Sequence, residues 1–201
     1  MSAILPSFVL GYHGCDKSVA DAIFSGASTH LLSSQNEYDW LGHGIYFWES
    51  SPERAMDYAR QQKLRAARKN KIEEPAAVGA VIDLGYCLNL LDSQYSLVIE
   101  AGHTDLRDSI RNAGKSMPIN RRPSNSNEIL LRALDCAVIN TIHARRKEDN
   151  LQPFDSIRAA FIEGNPIYEG GGFFEKTHIQ ICVRDTGKIK GYFRPILDAS
   201  R

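Results

Sequence analysis

Near its carboxyl end the chain reads Thr177-His178-Ile179-Gln180-Ile181-Cys182-Val183-Arg184, then Asp185-Thr186-Gly187-Lys188, then Ile189-Lys190-Gly191-Tyr192-Phe193-Arg194. Both outer stretches are rich in β-branched and aromatic residues and alternate in polarity, so residues 177–184 and 189–194 are predicted as strands, with 185–188 as a hairpin turn. Residues 156–163 form another strand candidate just upstream. Strands that follow one another without an intervening helix cannot be βαβ units. Earlier in the chain, helical and strand patterns are mixed. That order, mixed first and then mostly strands, predicts an α+β fold rather than a doubly wound parallel sheet.

Working back toward the amino terminus, residues 128–146 place Ile129, Leu130, Ala133, Leu134, Ala137, Val138 and Ile142 on one helical face, and 94–113 carry a second helical pattern. Between them, 115–127 contain Pro118, Pro123 and several Ser and Asn, which predicts an exposed loop. Residues 77–84 are a mostly apolar run of strand length, as in a buried central strand. Ser51-Pro52-Glu53 combines an N-cap serine, a proline at the first helical position and an early acid, opening a helix to about residue 69. It follows a strand over 44–48. At the start, 7–13 read as a strand ending at Gly14, followed by a capped helix over 16–23. No repeat or Gly/Ser-rich linker divides the chain, so one domain over 1–201 is expected.

The 201 residues are 43% hydrophobic and 24% charged, close to the average for a globular domain and far from disordered or collagen-like composition. No apolar run approaches the roughly 20 residues of a membrane span, and residues 1–6 lack the basic start of a secretory signal. A cytoplasmic protein is expected. With 24 basic and 24 acidic side chains the net charge is zero, so a nucleic acid or lipid partner would have to be recognised by a local patch. Cys15, Cys87, Cys136 and Cys182 lie far apart without metal-site spacing, which points to four small thiols and no structural metal. The chain has no phosphate-binding loop, zinc-protease helix, nucleophile elbow or dinucleotide fingerprint.

His13-Gly14 stands at the end of a predicted strand, Tyr46 lies in Leu41-Gly42-His43-Gly44-Ile45-Tyr46-Phe47, and Tyr58 is on the following helix. Glycine at a strand end lets a ligand approach the backbone, and its peptide groups can pair with a carboxamide. Two tyrosines can hold a flat ring, each offset stack contributing about 0.5–1.5 kcal/mol beyond area burial. Such a pocket suits nicotinamide. Each residue alone also has a structural reading: a satisfied histidine, an ordinary strand, a helix core face.

On Tyr12-His13-Gly14, Gly42-His43-Gly44-Ile45-Tyr46-Phe47 and the strand Thr177 to Val183, the sequence resembles the ADP-ribosyltransferase superfamily of the diphtheria-toxin and poly(ADP-ribose) polymerase type, with its His-Tyr-Glu signature. The resemblance implies a split, mostly antiparallel sheet with flanking helices gripping NAD as substrate. By it, His13 bonds a ribose, the Gly14 backbone takes the nicotinamide amide, and Tyr46 and Tyr58 sandwich the ring. In the family a glutamate holds the ribose 2′-hydroxyl and stabilises the oxocarbenium-like centre. Here the aligned position is His178, with Gln180 two residues on along the same face and Ile179, Ile181 and Val183 turned to the core. Histidine can bond a hydroxyl or serve as a base for the acceptor. Glu175, just before the strand, is the second choice for the third catalytic position.

Without the acid, the resemblance implies single ADP-ribose transfer or NAD hydrolysis rather than polymer growth. The acceptor, protein or nucleic acid, stays open. A basic run of Arg54, Arg60, Lys63, Arg65, Arg68, Lys69 and Lys71 can track phosphates, with Arg121-Arg122 and Arg145-Arg146-Lys147 as further contacts, or can be a solvated helix face. Gly170-Gly171-Gly172 stands where the family has a loop that meets the acceptor. Family habit extends to a bacterial toxin or defence effector with an antitoxin partner. The alternatives are a non-catalytic NAD or ADP-ribose-binding module, an RNA 2′-phosphotransferase, and an NAD glycohydrolase.

Overall fold

The computed structural model describes residues 8–64, 71–123 and 128–197. Strand β1 (Phe8–Asp16) runs directly into α1 (Lys17–Phe24) because Asp16 is at once the last strand residue and the helix N-cap. Its Oδ1 accepts from Ser18 N at 2.9 Å and Ser18 Oγ at 2.6 Å, and its Oδ2 from Glu73 N and Glu74 N. The Ser18 hydroxyl and these backbone donors hold the carboxyl below the ordinary carboxylate range. One side chain therefore ties the start of α1 to the chain entering β3.

Next come β2 (Ile45–Glu49), α2 (Pro52–Leu64), β3 (Pro75–Asp83), β4 (Cys87–Asn89), α3 (Ser96–Asn112), β5 (Asn120–Arg121), β6 (Leu131–Arg132), α4 (Ala133–Glu148), β7 (Ser156–Phe161), β8 (His178–Val183) and β9 (Ile189–Phe193). Seven strands form one mixed sheet in the order β4-β7-β8-β2-β1-β3-β9, antiparallel except for β4 beside β7. The fold is α+β. No described helix is long and apolar enough to cross a membrane.

The sheet is nearly divided. β1 pairs with β3 from Phe8↔Asp83 to Asp16↔Pro75, yet meets β2 only at Gly11↔Glu49 and Tyr12↔Trp48. Beyond Tyr12 the two strands part. On one face, Ile45, Phe47, Val78, Ile82, Ile181 and Val183 pack with Ala20 and Ile23 of α1. On the other, α3 and α4 cover the β7–β8 half through Leu106, Val138, Ile139, Ile142, Ile157 and Cys182, while α2 covers β1 and β3 through Ala55 against Tyr12, Trp48 and Ala77. Each fully buried Ile or Phe contributes about 1.5–3 kcal/mol. The divided seam thus lies between α2 and the α3–α4 pair.

Several expectations change. Residues 185–188 are not a hairpin: both edges of β8 are filled, by β7 and β2, so the chain turns through a 3-10 segment (Thr186–Lys188) and crosses to pair β9 with β3. Residues 115–127 are not wholly loop, since β5 pairs with β6, which delays the helix expected from 128 until Ala133. The cap there comes from a distant side chain, Asn120 Oδ1 accepting from Leu134 N at 2.9 Å. β4 has no signal in the sequence, because three residues carry no periodicity. The expected helix end at 65–69 and the reading of residues 1–6 fall outside the described residues. Cys15, Cys136 and Cys182 are buried free thiols, Cys87 is half-buried, and burial pushes the Cys182 thiol up to about 12.

Candidate functional site

At the seam opens a cleft of about 500 Å³, within the range of small-molecule sites. His13 from β1, Tyr46 and Trp48 from β2, and Tyr58 from α2 all line it. These residues, distant in the chain, meet because the strands diverge where α2 crosses.

His13 Nδ1 lies 2.8 Å from the Tyr46 carbonyl. A carbonyl only accepts, so Nδ1 carries the hydrogen and Nε2 presents a lone pair. Burial lowers the imidazole pKa against the opposing effect of that bond, keeping the ring neutral at pH 7. The imidazole takes a carbonyl that a continued β1–β2 ladder would have used. Ser50 N donates to Leu10 O at 2.8 Å, so alternation turns the Gly14 peptide groups toward β2, past the last registered pair. Gly14 itself does not line the cleft. A Cβ on it would lie 2.0 Å from the Ala55 carbonyl oxygen, so the close approach this glycine permits is that of α2 onto β1.

The Tyr46 hydroxyl donates to Gly42 O at 2.7 Å and accepts from Leu41 N at 3.0 Å. It fastens the turn before β2, in which Gly42 adopts φ 76°. Burial raises the phenol pKa, so the hydroxyl stays protonated. What remains for a ligand is the ring. The Tyr58 ring stands 5.0 Å from Trp48, tilted by 45°.

His178 does not line the cleft. It is 7% exposed and one layer back, stacked on Phe161 at 5.5 Å and facing Trp48, both of which do line it. Its Nδ1 donates to Lys176 O at 2.7 Å, and burial lowers its pKa. Glu175 is exposed and also away from the cleft, its carboxylate accepting from Asn165 N and Nδ2 to close the loop before β8. The residue of β8 that reaches the cleft is Gln180, opposite Trp48, its Oε1 accepting from Trp40 Nε1 at 2.6 Å. Strand alternation marked Gln180 as sharing the face of His178. It did not say which of the two lies over the seam.

Two further residues escaped the sequence reading as a pair. Arg54, counted in the basic run, turns inward and donates to Glu163 Oε2 at 2.9 Å, with side chains 15% and 17% exposed. Both line the cleft. No local pattern joins them. Among the described residues, five buried side-chain polar atoms lack a partner, and Trp48 Nε1, Arg54 Nε and Gln62 Oε1 belong to residues lining this cleft. Two donors and an acceptor thus lie buried without a protein partner in the walls of this cleft.

The remaining basic residues are dispersed. Arg60 pairs with Asp57, Arg145 with Asp149, and Arg146 lies over the Tyr86 and Phe154 rings. Arg121 and Arg122 are exposed beside Pro123, which lines the cleft. Arg65, Arg68 and Lys69 fall outside the described residues. Gly170 adopts φ 71° in the loop before β8, whose arms are bridged at Pro166 and Phe174. Comparison with protein-family models, with curated proteins and with solved structures returns no match.

Proposed function

We propose that this chain is a mono-ADP-ribosyltransferase that takes NAD as substrate, cleaves the bond between nicotinamide and ribose, and transfers ADP-ribose to a protein or nucleic acid acceptor. The observation that carries the proposal is the convergence of His13, Tyr46 and Tyr58 on one cleft at the β1–β2 seam. The nearly divided, mostly antiparallel sheet accords with the scaffold expected for such an enzyme. Neutral His13 offers Nε2 as acceptor to a ribose hydroxyl. The tyrosine rings lining the cleft match the flat pyridine. Bond cleavage leaves positive charge on the ribose, so the site works by orienting the leaving group and stabilising that charge rather than by a strong nucleophile.

A second reading, an NAD-binding module without catalysis, is favoured by one observation: the side chain that β8 brings to the cleft is an uncharged glutamine. Incubation of the pure protein with labelled NAD separates the two. Nicotinamide release that is lost in Tyr46→Ala supports the enzyme, and label in the protein or the RNA fraction identifies the acceptor class. Binding without release under any acceptor supports the module. Absence of both refutes NAD as the ligand.

A further inference from the structure

We propose that Glu163, held by Arg54, is the catalytic carboxylate of this cleft, taking from the end of β7 the role that no side chain of β8 can fill. This rests on the NAD reading and assigns the charge-stabilising group within it. Among the described residues two carboxylates line the cleft, those of Asp39 and Glu163. Asp39 is committed to its own turn, Oδ2 accepting from Asn36 N at 2.8 Å and Oδ1 from Asn36 Nδ2. Glu163 is different. Arg54 takes Oε2, while Oε1 has no protein partner among the described residues and is absent from the buried orphan atoms, which leaves it open to the cleft.

The carboxylate is held at Oε2 by Arg54, and the backbone that carries it is fixed on both sides. Glu163 O accepts from Lys176 N at 3.0 Å, and the next residue, Gly164, donates its N–H to the Glu128 side chain, so the backbone is pinned on both sides of the loop. Arg54 in turn has its Nε buried. A fixed carboxylate only 17% exposed stabilises a developing opposite charge more than a freely solvated one does, because little reorganisation is needed as the reaction proceeds. His178, whose Nδ1 stands 3.9 Å from Glu163 Oε2, backs the carboxylate instead of reaching substrate.

With water as acceptor the step balances as follows. The ribose C1′–nitrogen bond of NAD breaks and its electron pair leaves on neutral nicotinamide. The cation at C1′ forms facing Glu163 Oε1, which also accepts a hydrogen bond from the ribose 2′-hydroxyl. A water oxygen then bonds C1′ and releases its proton to solvent, giving ADP-ribose. Arg54 is a positioning residue, acting through Glu163.

The test measures NAD affinity by calorimetry and nicotinamide release with water as acceptor, in the full chain and in Glu163→Gln. The variant is expected to bind NAD within about threefold of the parent while release falls by about 100-fold or more. A fall of less than tenfold, or affinity lost in parallel with rate, overturns the assignment. Should Glu163→Gln fail to fold because a guanidinium is left buried without its partner, the double variant R54M/E163Q carries the same two measurements, with the same limits. A parent protein that neither binds nor cleaves NAD overturns the NAD reading itself. A parent that cleaves beside a variant that also cleaves overturns only the role of Glu163.

Discussion

Replacing Gly14 by alanine is expected to lift α2 from the sheet and disable the cleft at the same time. The new Cβ would stand 2.0 Å from Ala55 O, 2.9 Å from Ala55 C and 3.3 Å from Ala59 N, all backbone atoms of the helix. None can rotate away as a side chain would. To restore an ordinary contact, helix and strand must separate by about 1.4 Å, against a packing potential that loses a large part of its attraction over such a gap. Overpacking of this kind costs about 2–3 kcal/mol, or roughly 5–10 °C in melting temperature for a chain of this size. Because α2 also carries Arg54 and Tyr58, the same shift displaces two groups lining the cleft, and displacement of about 1 Å is enough for a 100-fold loss of rate. Thermal unfolding followed by circular dichroism and a nicotinamide-release assay measure the two effects on one sample. Gly172→Ala is the control, since a Cβ there has nothing within 4 Å. It should leave stability within about 0.5 kcal/mol. If Gly14→Ala melts with the parent and keeps its activity, the close seating of α2 on β1 is refuted, and with it the account of how the cleft is held.

Tyr46→Phe keeps the ring but strips Leu41 N and Gly42 O of their shared hydroxyl. Urea denaturation should show a loss of about 1–3 kcal/mol, with NAD affinity within about threefold of the parent. An unchanged midpoint would show that the hydroxyl does not hold the turn. Tyr58→Ala is expected to raise the Kd for NAD by about 3–10-fold, the value of one lost stack, and an affinity equal to that of the parent would remove Tyr58 from the ligand site. Stability should fall below pH 6.5. Burial holds the pKa of His13, His143 and His178 below the ordinary 6.5, that of His143 at about 3, so in this window the unfolded chain binds more protons than the folded one. Their contribution is full above pH 6.5 and is lost as pH falls toward the lowered values, for His143 at about 1.4 kcal/mol per pH unit between the ordinary 6.5 and about 3. Urea midpoints at pH 7.5 and 5.5 check this, and equal midpoints would refute buried, neutral imidazoles.

Local pattern was enough for much of the architecture. The cap at Asp16, the proline-led start of α2 and the alternation in 177–184 are properties of a few neighbouring residues, and each appears in the structure as α1, α2 and β8. The same holds for His13, Tyr46 and Tyr58, whose nearness follows once a strand end, a second strand and the next helix are recognised. Other features depend on where partner strands stop. A period of two residues assigns side chains to a face without fixing how far along that face a cleft extends, so His178 and Gln180 were equivalent in sequence and only the register with β2 separates a stacked core histidine from a glutamine lining the cleft. β9 left β8 because both edges of β8 were already bonded, a fact of the whole sheet. Arg54 and Glu163 are 109 residues apart, and neither neighbourhood hints at the other. The chain alone determined which elements form and which faces are apolar, since those follow from spacing over a few residues. The folded sheet decided which polar groups share one cleft, because that is set by strand pairing and helix seating across the whole molecule.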